Sequence, residues 1–203
     1  EGTAENPYLI ETLKDLKFFR DDVNAGNNYQ GKFIKLTTGI DLNNEEWTPI
    51  ANNGKTFNGT FDGNDKTIFN LVVNGEGKSN QGFFGQTNNG EIKNLTINNA
   101  TVKGRLNVGV VAGTPYTSKY TNIKVTGDVF VNGMAYVGGV GGKNAYANWT
   151  DITVDVDETS YVKANSVENG TAYRTYVGGV VGFNGEGSHT FMNITSNIKV
   201  IGN

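Results

Sequence analysis

The chain has no cysteine among its 203 residues, and it has only one histidine and three prolines. Without cysteine there can be no disulfide, no thiolate metal site and no cysteine nucleophile. The single histidine, His189, would need partners to form a catalytic triad or a metal centre. It stands in a polar, turn-like stretch, where a solvated structural role is expected.

Strong charge and long apolar runs are also missing. The formal net charge is −3, and no basic stripe exists to attract a nucleic acid. Apolar runs reach only a handful of residues, far short of the roughly 20 that a membrane-spanning helix needs. The sequence therefore predicts neither a nucleic-acid partner nor membrane insertion by this segment.

Glycine is abundant, and it recurs in a six-residue phrase. The phrase reads VGVVAG at 108–113, VGGVGG at 137–142 and VGGVVG at 177–182, with a degenerate copy, NQGFFG, at 80–85. A second phrase, Asn or Asp followed by Leu or Ile, begins at 94, 122, 151 and 193. Both phrases recur at about 28 residues before the last interval lengthens. Two phrases that shift together indicate one repeated structural unit.

The unit predicts an all-β fold, a right-handed parallel β-helix (solenoid) of repeated coils of about 28 residues. A propeller blade would need about 40–45 residues. In register, Val108, Val137 and Val177 would form one inward ladder, and Val110, Val140 and Val180 another. The glycines would allow positive φ at corners and close approach of neighbouring coils. We expect one domain over 1–203, with coils over 31–203 and a loop insertion at about 157–174.

Residues 1–30 predict an N-terminal cap with a helix at about 13–24. Thr12 and Asp15 resemble a capping box, and Gly26 is a plausible stop. Apolar residues follow at helical spacing, namely Leu13, Leu16, Phe19 and Val23. Such a helix would cover the open end of the stack. At the other end we expect further domains C-terminal to Asn203, or pairing with another copy.

The two phrases and the opening stretch together resemble the GLUG-motif repeat family. The matching pieces are residues 2–3, 6–10, 35–42, 47–50, 57–63, 82–85 and 138–142. The resemblance implies a secreted or surface-attached bacterial protein whose repeats form a β-helix. Several members look like adhesins, and some relatives attach to peptidases. The family offers no fixed catalytic residues to carry over.

Aromatic residues are the main candidates for ligand binding. They concentrate in one part of the chain, as Tyr116, Tyr120, Tyr136, Tyr146, Trp149, Tyr161, Tyr173 and Tyr176. Tyr136 and Tyr176 hold the same repeat position and should stack, pointing outward by parity with the valines beside them. One interpretation is an aromatic platform for sugar rings or a partner protein. The other is a stabilising ladder packed under the inserted loop.

Acidic residues raise the question of a polysaccharide-degrading enzyme. Asp155 and Asp157 share one face of a strand and Glu158 follows, while Asp62 and Asp65 flank a turn. A glycosidase or lyase needs paired carboxylates, or carboxylates with Ca²⁺ and a basic residue. Neither pair recurs in register on a neighbouring coil, and Asp62 to Asp65 lacks the spaced ligands of a calcium loop.

The sequence therefore favours a secreted or cell-surface bacterial module, adhesin-like or scaffolding, that binds a host glycan or protein ligand without a cofactor. The competing hypotheses are a polysaccharide lyase or glycosidase and a non-catalytic module of a secreted peptidase.

Overall fold

The computed structural model describes residues 1–165, 167–168, 171–172, 174–185 and 187–202, with only the backbone at 167–168 and 171–172. The chain is a parallel β-solenoid of about five turns with one helix near its N-terminus. The predicted fold class is confirmed.

The helix α1 covers Leu13–Ala25. The strands are β1 (Tyr8–Ile10), β2 (Phe33–Leu36), β3 (Ile40–Asp41), β4 (Thr60–Asn74), β5 (Phe84–Asn88), β6 (Glu91–Lys103), β7 (Val108–Gly109), β8 (Ala112–Tyr116), β9 (Lys119–Gly133), β10 (Tyr136–Gly138), β11 (Gly141–Asn144), β12 (Asn148–Val156), β13 (Tyr161–Ala164), β14 (Val167–Glu168), β15 (Thr171–Ala172), β16 (Tyr176–Gly178), β17 (Val181–Asn184), β18 (Phe191–Ser196) and β19 (Lys199–Gly202).

Parallel pairing joins equivalent strands of successive coils. The largest sheet runs in the order β1-β2-β4-β6-β9-β12-β18, with β13 and β19 continuing it beside β9. The glycine phrases form two smaller sheets, β16-β10-β7 and β17-β11-β8-β5. Val137 pairs with both Val108 and Val177, so the predicted ladder is confirmed. Val108 and Val137 are fully buried, and Val177 is partly buried against the same core.

The helix caps the first coil as predicted. The Thr12 side chain accepts from the Asp15 amide, and the Asp15 carboxylate accepts from the Thr12 amide at 2.9 Å, which completes the capping box. Gly26, at φ 120°, ends the helix. Leu16, Phe19 and Val23 are buried, because this face lies on the core of the solenoid.

Asparagine, and not the repeated glycine phrase, forms the left-handed corners. Asn94, Asn122, Asp151 and Asn193 all have φ between 51° and 57°. The Asn122 amide donates to the Asn94 side chain at 3.0 Å, and Asn193 donates to Asp151 at 2.8 Å. Asn and Asp tolerate this conformation because their short polar side chains hydrogen-bond locally. The second phrase therefore marks a stacked corner.

The phrase glycines serve close approach instead. None of them is among the residues with positive φ, so that part of the expectation is wrong. A Cβ at Gly138 would clash with the Gly141 carbonyl and would lie 2.6 Å from the Gly182 amide nitrogen. The coils pass so close here that no larger side chain fits.

The extra residues of the third unit begin later than expected. β13 pairs in parallel with β9 and β19, so Tyr161–Ala164 belongs to the main sheet. The short antiparallel pair β14 and β15 follows it. The insertion therefore starts after Ala164 and not at about 157.

Candidate functional site

The aromatic residues expected to form one platform lie in separate places. Tyr120 and Trp149 are in the core, whereas Tyr136 and Tyr176 form a half-buried stack. Tyr116 and Tyr146 form an exposed pair, and Tyr161 lies on another face. Tyr173 lies outside the described residues.

Tyr120 and Trp149 are wrong as ligand-binding residues, because both are fully buried. Their rings stack at 4.2 Å inside the solenoid, and the Tyr120 hydroxyl is 2.8 Å from the hydroxyl of Thr87. Burial raises the pKa of Tyr120, which keeps the phenol neutral. Ile92, Tyr120 and Trp149 occupy one inward column in three successive coils.

Tyr136 and Tyr176 stack as predicted, with ring centroids 5.4 Å apart and planes 17° apart. Phe183 packs against both rings, at 5.1 Å from Tyr136 and 4.9 Å from Tyr176. The Lys143 ammonium lies 5.6 Å from the Tyr136 ring centroid. Phe183 and Lys143 therefore cover part of the ring surface that a ligand would need.

Tyr161 contacts Phe130 at 5.3 Å on the outer face of the main sheet. Its hydroxyl accepts a long hydrogen bond of 3.5 Å from the Asn132 amide. Tyr161 is only partly exposed, and among the described residues its ring contacts Phe130 and none of the other candidate tyrosines.

Tyr116 and Tyr146 remain available to a ligand. They are 39% and 44% exposed, and their rings meet edge to face at 5.9 Å. Tyr116 pairs with Ala145 of the next coil. The residues that follow them, Thr117 and Tyr146, therefore occupy equivalent positions in these two coils. Tyr146 also lies against Gly187.

An open groove of about 540 Å³ lies on the same side of the solenoid and includes Thr117 in its wall. Its polar lining is formed by Gln30, Asn58, Thr60, Asn89 and Thr117. Phe33 contributes a half-buried aromatic ring, and Gly31, Gly59 and Gly90 also belong to the lining. The groove runs along the solenoid axis, because Phe33, Thr60, Glu91 and Lys119 occupy one register position in four successive coils.

Opposite charges are balanced within the groove. Glu91 and Lys119 are the two charged residues of the lining in the part of the chain that the structure describes, and they are direct neighbours in register. Lys93 also reaches Glu91, at 3.8 Å between nitrogen and oxygen. The groove therefore presents hydrogen-bonding groups without a strong field of either sign.

Sequence reasoning missed the groove residues. Gln30, Asn58 and Asn89 belong to no obvious motif, since Asn is common throughout the chain. Asn89 and Thr117 occupy the same corner in successive coils, and this equivalence could have pointed to the groove. Recognising it requires the register of the coils, which the sequence pattern did not give at these two positions.

The acidic and histidine candidates lie elsewhere. The Asp155 carboxylate accepts from the Asn197 amide at 3.0 Å, and Asp155 does not line the groove. The His189 ring contacts Phe191 at 6.3 Å. In the part of the chain that the structure describes, no three His, Cys, Asp or Glu side chains are grouped to hold a metal ion.

Comparison with known proteins gives relatives but no family. No family model matches the chain, so the resemblance to the GLUG-motif family stays a prediction. "Halomucin" of Haloquadratum walsbyi is 42% identical over 124 residues, which is 56% of this chain and 1% of that protein. The "Putative Gly-rich membrane protein" of Evansella cellulosilytica is 36% identical over 121 residues, which is 57% of this chain and 14% of that protein.

A solved structure shares the fold. It is titled "Crystal structure of a putative immunoglobulin A1 protease from Bacteroides ovatus", and it matches with a TM-score of 0.67 and 18% identity. The match covers 99% of this chain and 69% of that one. Among the described residues, no helix is both long and apolar enough to cross a bilayer.

Proposed function

We propose that the chain is a module of a larger secreted or cell-surface protein, an adhesin-like scaffold that holds a ligand along its side. The observation that carries this proposal is the axial groove with the exposed tyrosine pair at one end. Both lie on a continuous core that spans all the coils. A rigid solenoid keeps such a surface in a fixed geometry.

The relatives support an extracellular surface location. One relative is named a halomucin and the other a membrane protein, and the chain spans only 1% and 14% of their lengths. A repeat module within a long surface protein fits both names. Membership of the GLUG-motif family belongs to the same proposal, since the pieces that carry the resemblance extend through most of the described chain.

Binding without cleavage is the favoured activity. Hydrolysis of a glycosidic bond commonly needs two carboxyl groups on either side of the bond. Among the described residues, Glu91 is the only carboxylate in the lining of the groove, and Lys93 and Lys119 flank it. This arrangement supports a ligand-holding role over a lyase or glycosidase.

A binding and cleavage assay tests the proposal. The purified chain is applied to arrays of glycans and of extracellular proteins, and it is then incubated in solution with every glycan on the array. We expect retention on at least one class of ligand and no new reducing ends or unsaturated products. The variant Asp155→Asn/Asp157→Asn is the matched control, and its binding should equal that of the wild type.

Two results would contradict the proposal. Cleavage of a glycan by the wild type but not by the double variant would establish the enzyme hypothesis. Absence of retention on every ligand would leave a spacer without a binding role. Surface location is tested separately, by antibody labelling of intact cells of the source organism, where labelling only after permeabilisation would contradict it.

A further inference from the structure

The corner beside the groove carries two residues that are unusual for their backbone conformation. Asn89, Thr117 and Tyr146 hold this corner in three successive coils, with φ of 51°, 46° and 64°. Asn is common in this left-handed region, but a β-branched or bulky residue there is an outlier. Such strain is typical of functional positions. Thr117 and Tyr146 therefore place side chains here at a cost in stability that Asn would avoid.

Unpaired polar groups line the groove next to this corner. Within the described residues, no hydrogen bond occupies the Gln30 side-chain amide or the hydroxyls of Thr60 and Thr117. The Asn58 oxygen accepts from Thr56, which leaves the Asn58 amide hydrogens free. The Asn89 amide donates to Asn88, so its oxygen is free. Free hydrogen-bond donors and free acceptors therefore both line the groove.

The dimensions suit an extended ligand. Phe33, Thr60, Glu91 and Lys119 mark four rungs of the groove, and Asn148 continues the same register in the coil of Tyr146. At about 4.8 Å between neighbouring strands, five rungs span about 19 Å. Aromatic rings stand at both ends, Phe33 at one and the pair Tyr116 and Tyr146 at the other.

We propose that the groove and the tyrosine pair together bind a neutral, linear oligosaccharide that lies parallel to the solenoid axis. This inference rests on the proposed function. A pyranose has polar edges and apolar C–H faces, so it needs hydrogen-bonding side chains together with flat apolar rings. Tyr116 and Tyr146 offer such rings with polar hydroxyl groups. A polyanionic glycan would need unbalanced cations, whereas Lys119 and Lys93 both neighbour Glu91.

The test uses isothermal titration of the whole chain with cellotetraose, xylotetraose, laminaritetraose and chitotetraose, and with tetragalacturonate as the polyanionic arm. We expect at least one neutral tetrasaccharide to bind with an affinity that changes little between 50 mM and 500 mM salt. Tyr116→Ala and Gln30→Ala should each weaken that binding, Tyr116→Ala by about ten-fold, as is typical for an aromatic anchor.

Tyr146→Asn separates binding from folding. Asn fits the left-handed corner, so this variant should be at least as stable as the wild type while binding about ten-fold more weakly. Tyr146→Phe should keep most of the binding, because the ring remains. Phe69→Ala, which removes a side chain that is 38% exposed and outside the groove, is the matched control and should bind as the wild type does.

Three results would overturn this assignment. These are the absence of neutral tetrasaccharide binding, tighter binding of tetragalacturonate than of any neutral glycan, and neutral binding that Tyr146→Asn and Tyr116→Ala leave unchanged. If the chain were still retained on a protein or an acidic glycan in the array, the surface-binding function would survive while the neutral-glycan site would not.

Discussion

The two ends of the solenoid differ in how their apolar layers are covered. At the N-terminal end, α1 lies over the first coil, and Phe19 contacts Tyr29, Phe57 and Phe61 with ring centroids 5.1–5.9 Å apart. At the C-terminal end, β18 and β19 are each paired on one side only within the described residues. Phe191, Met192 and Val200 are 39%, 51% and 46% exposed there.

The difference shows that the burial of a side chain depends on its place in the stack and not only on its position in the repeat. Trp149 and Phe191 occupy one inward column in neighbouring coils. Trp149 is fully buried, because it has a coil on each side, whereas the strand of Phe191 pairs, among the described residues, only with the strand of Trp149. The same sequence position therefore contributes more to stability in the middle of the stack than at its C-terminal end.

The largest expected effect is the loss of the aromatic contact under the helix. Phe19→Ala should lower the free energy of unfolding by about 3–5 kcal/mol, because it leaves a cavity between α1 and the first coil. Phe191→Ala at the other end should cost only about 1 kcal/mol, since the ring is already partly hydrated. Denaturant unfolding of both variants checks this, and equal losses would remove the proposed difference between the ends.

Glycine substitution sharpens the comparison in the interior of the stack. Gly138→Ala should cost about 1–3 kcal/mol or abolish folding, because a methyl group there meets backbone of its own coil and of the next. Gly202→Ala, at a position with no atom within 4 Å of the added methyl, should be neutral. Thermal denaturation distinguishes them, and a neutral Gly138→Ala would contradict the close approach of the coils.

A smaller effect is expected at the capping box of α1. Thr12→Ala removes the acceptor for the Asp15 amide and should cost about 1 kcal/mol. Thr12→Ser keeps the hydroxyl and should restore most of the stability. If Thr12→Ser were as unstable as Thr12→Ala, the loss would come from packing and not from the cap.

The smallest expected effect is a dependence of stability on pH through the Asp15 carboxylate. The pKa of Asp15 is lowered below its usual 3.8, chiefly because the Thr12 hydroxyl donates a hydrogen bond to the carboxylate. The backbone amides of Glu11 and Thr12 act in the same direction. A carboxylate with a depressed folded pKa stabilises the fold above its unfolded pKa, and this stabilisation disappears as pH falls through the folded value. The difference in melting temperature between the wild type and Asp15→Asn should therefore shrink below about pH 4.

A control for that titration lies in the second coil. The amide of Asn43, followed by the Asn70 side chain, lowers the pKa of Asp41 in the same direction. The melting temperature of Asp15→Asn should therefore still fall at low pH, because Asp41 remains. That of Asp41→Asn should also still fall, because Asp15 remains. A difference between wild type and Asp15→Asn that stays constant from pH 6 to pH 2 would contradict the assigned role of the Asp15 carboxylate.

Local signals made much of the fold predictable. The capping box, the apolar spacing of Leu16, Phe19 and Val23 and the stop at Gly26 all act within one helix. The valine ladders follow from the repeated phrase, because its equivalent positions come into register in successive coils.

The prediction that Tyr120 and Trp149 bind a ligand was wrong, and both residues lie beside a corner that interrupts the alternation. Tyr120 and Ile123 both face inward although their parity differs, because Asn122 between them takes φ of 52° and shifts the phase. Trp149, Asp151 and Ile152 repeat the arrangement in the next coil. Alternation along a strand holds only between corners. The repeated phrase contains Asn122 and Asp151, but the pattern of the sequence did not show that these residues turn the chain.

By itself, the sequence determined the repeating unit, the parallel stack and the helix at its start, since each depends on contacts between near residues or between equivalent positions of the repeat. Only the tertiary structure decided which aromatic rings reach solvent and that Gln30, Asn58, Asn89 and Thr117 line one groove. These residues come from separate coils, and their proximity depends on where each coil turns, which is set by packing across the whole stack.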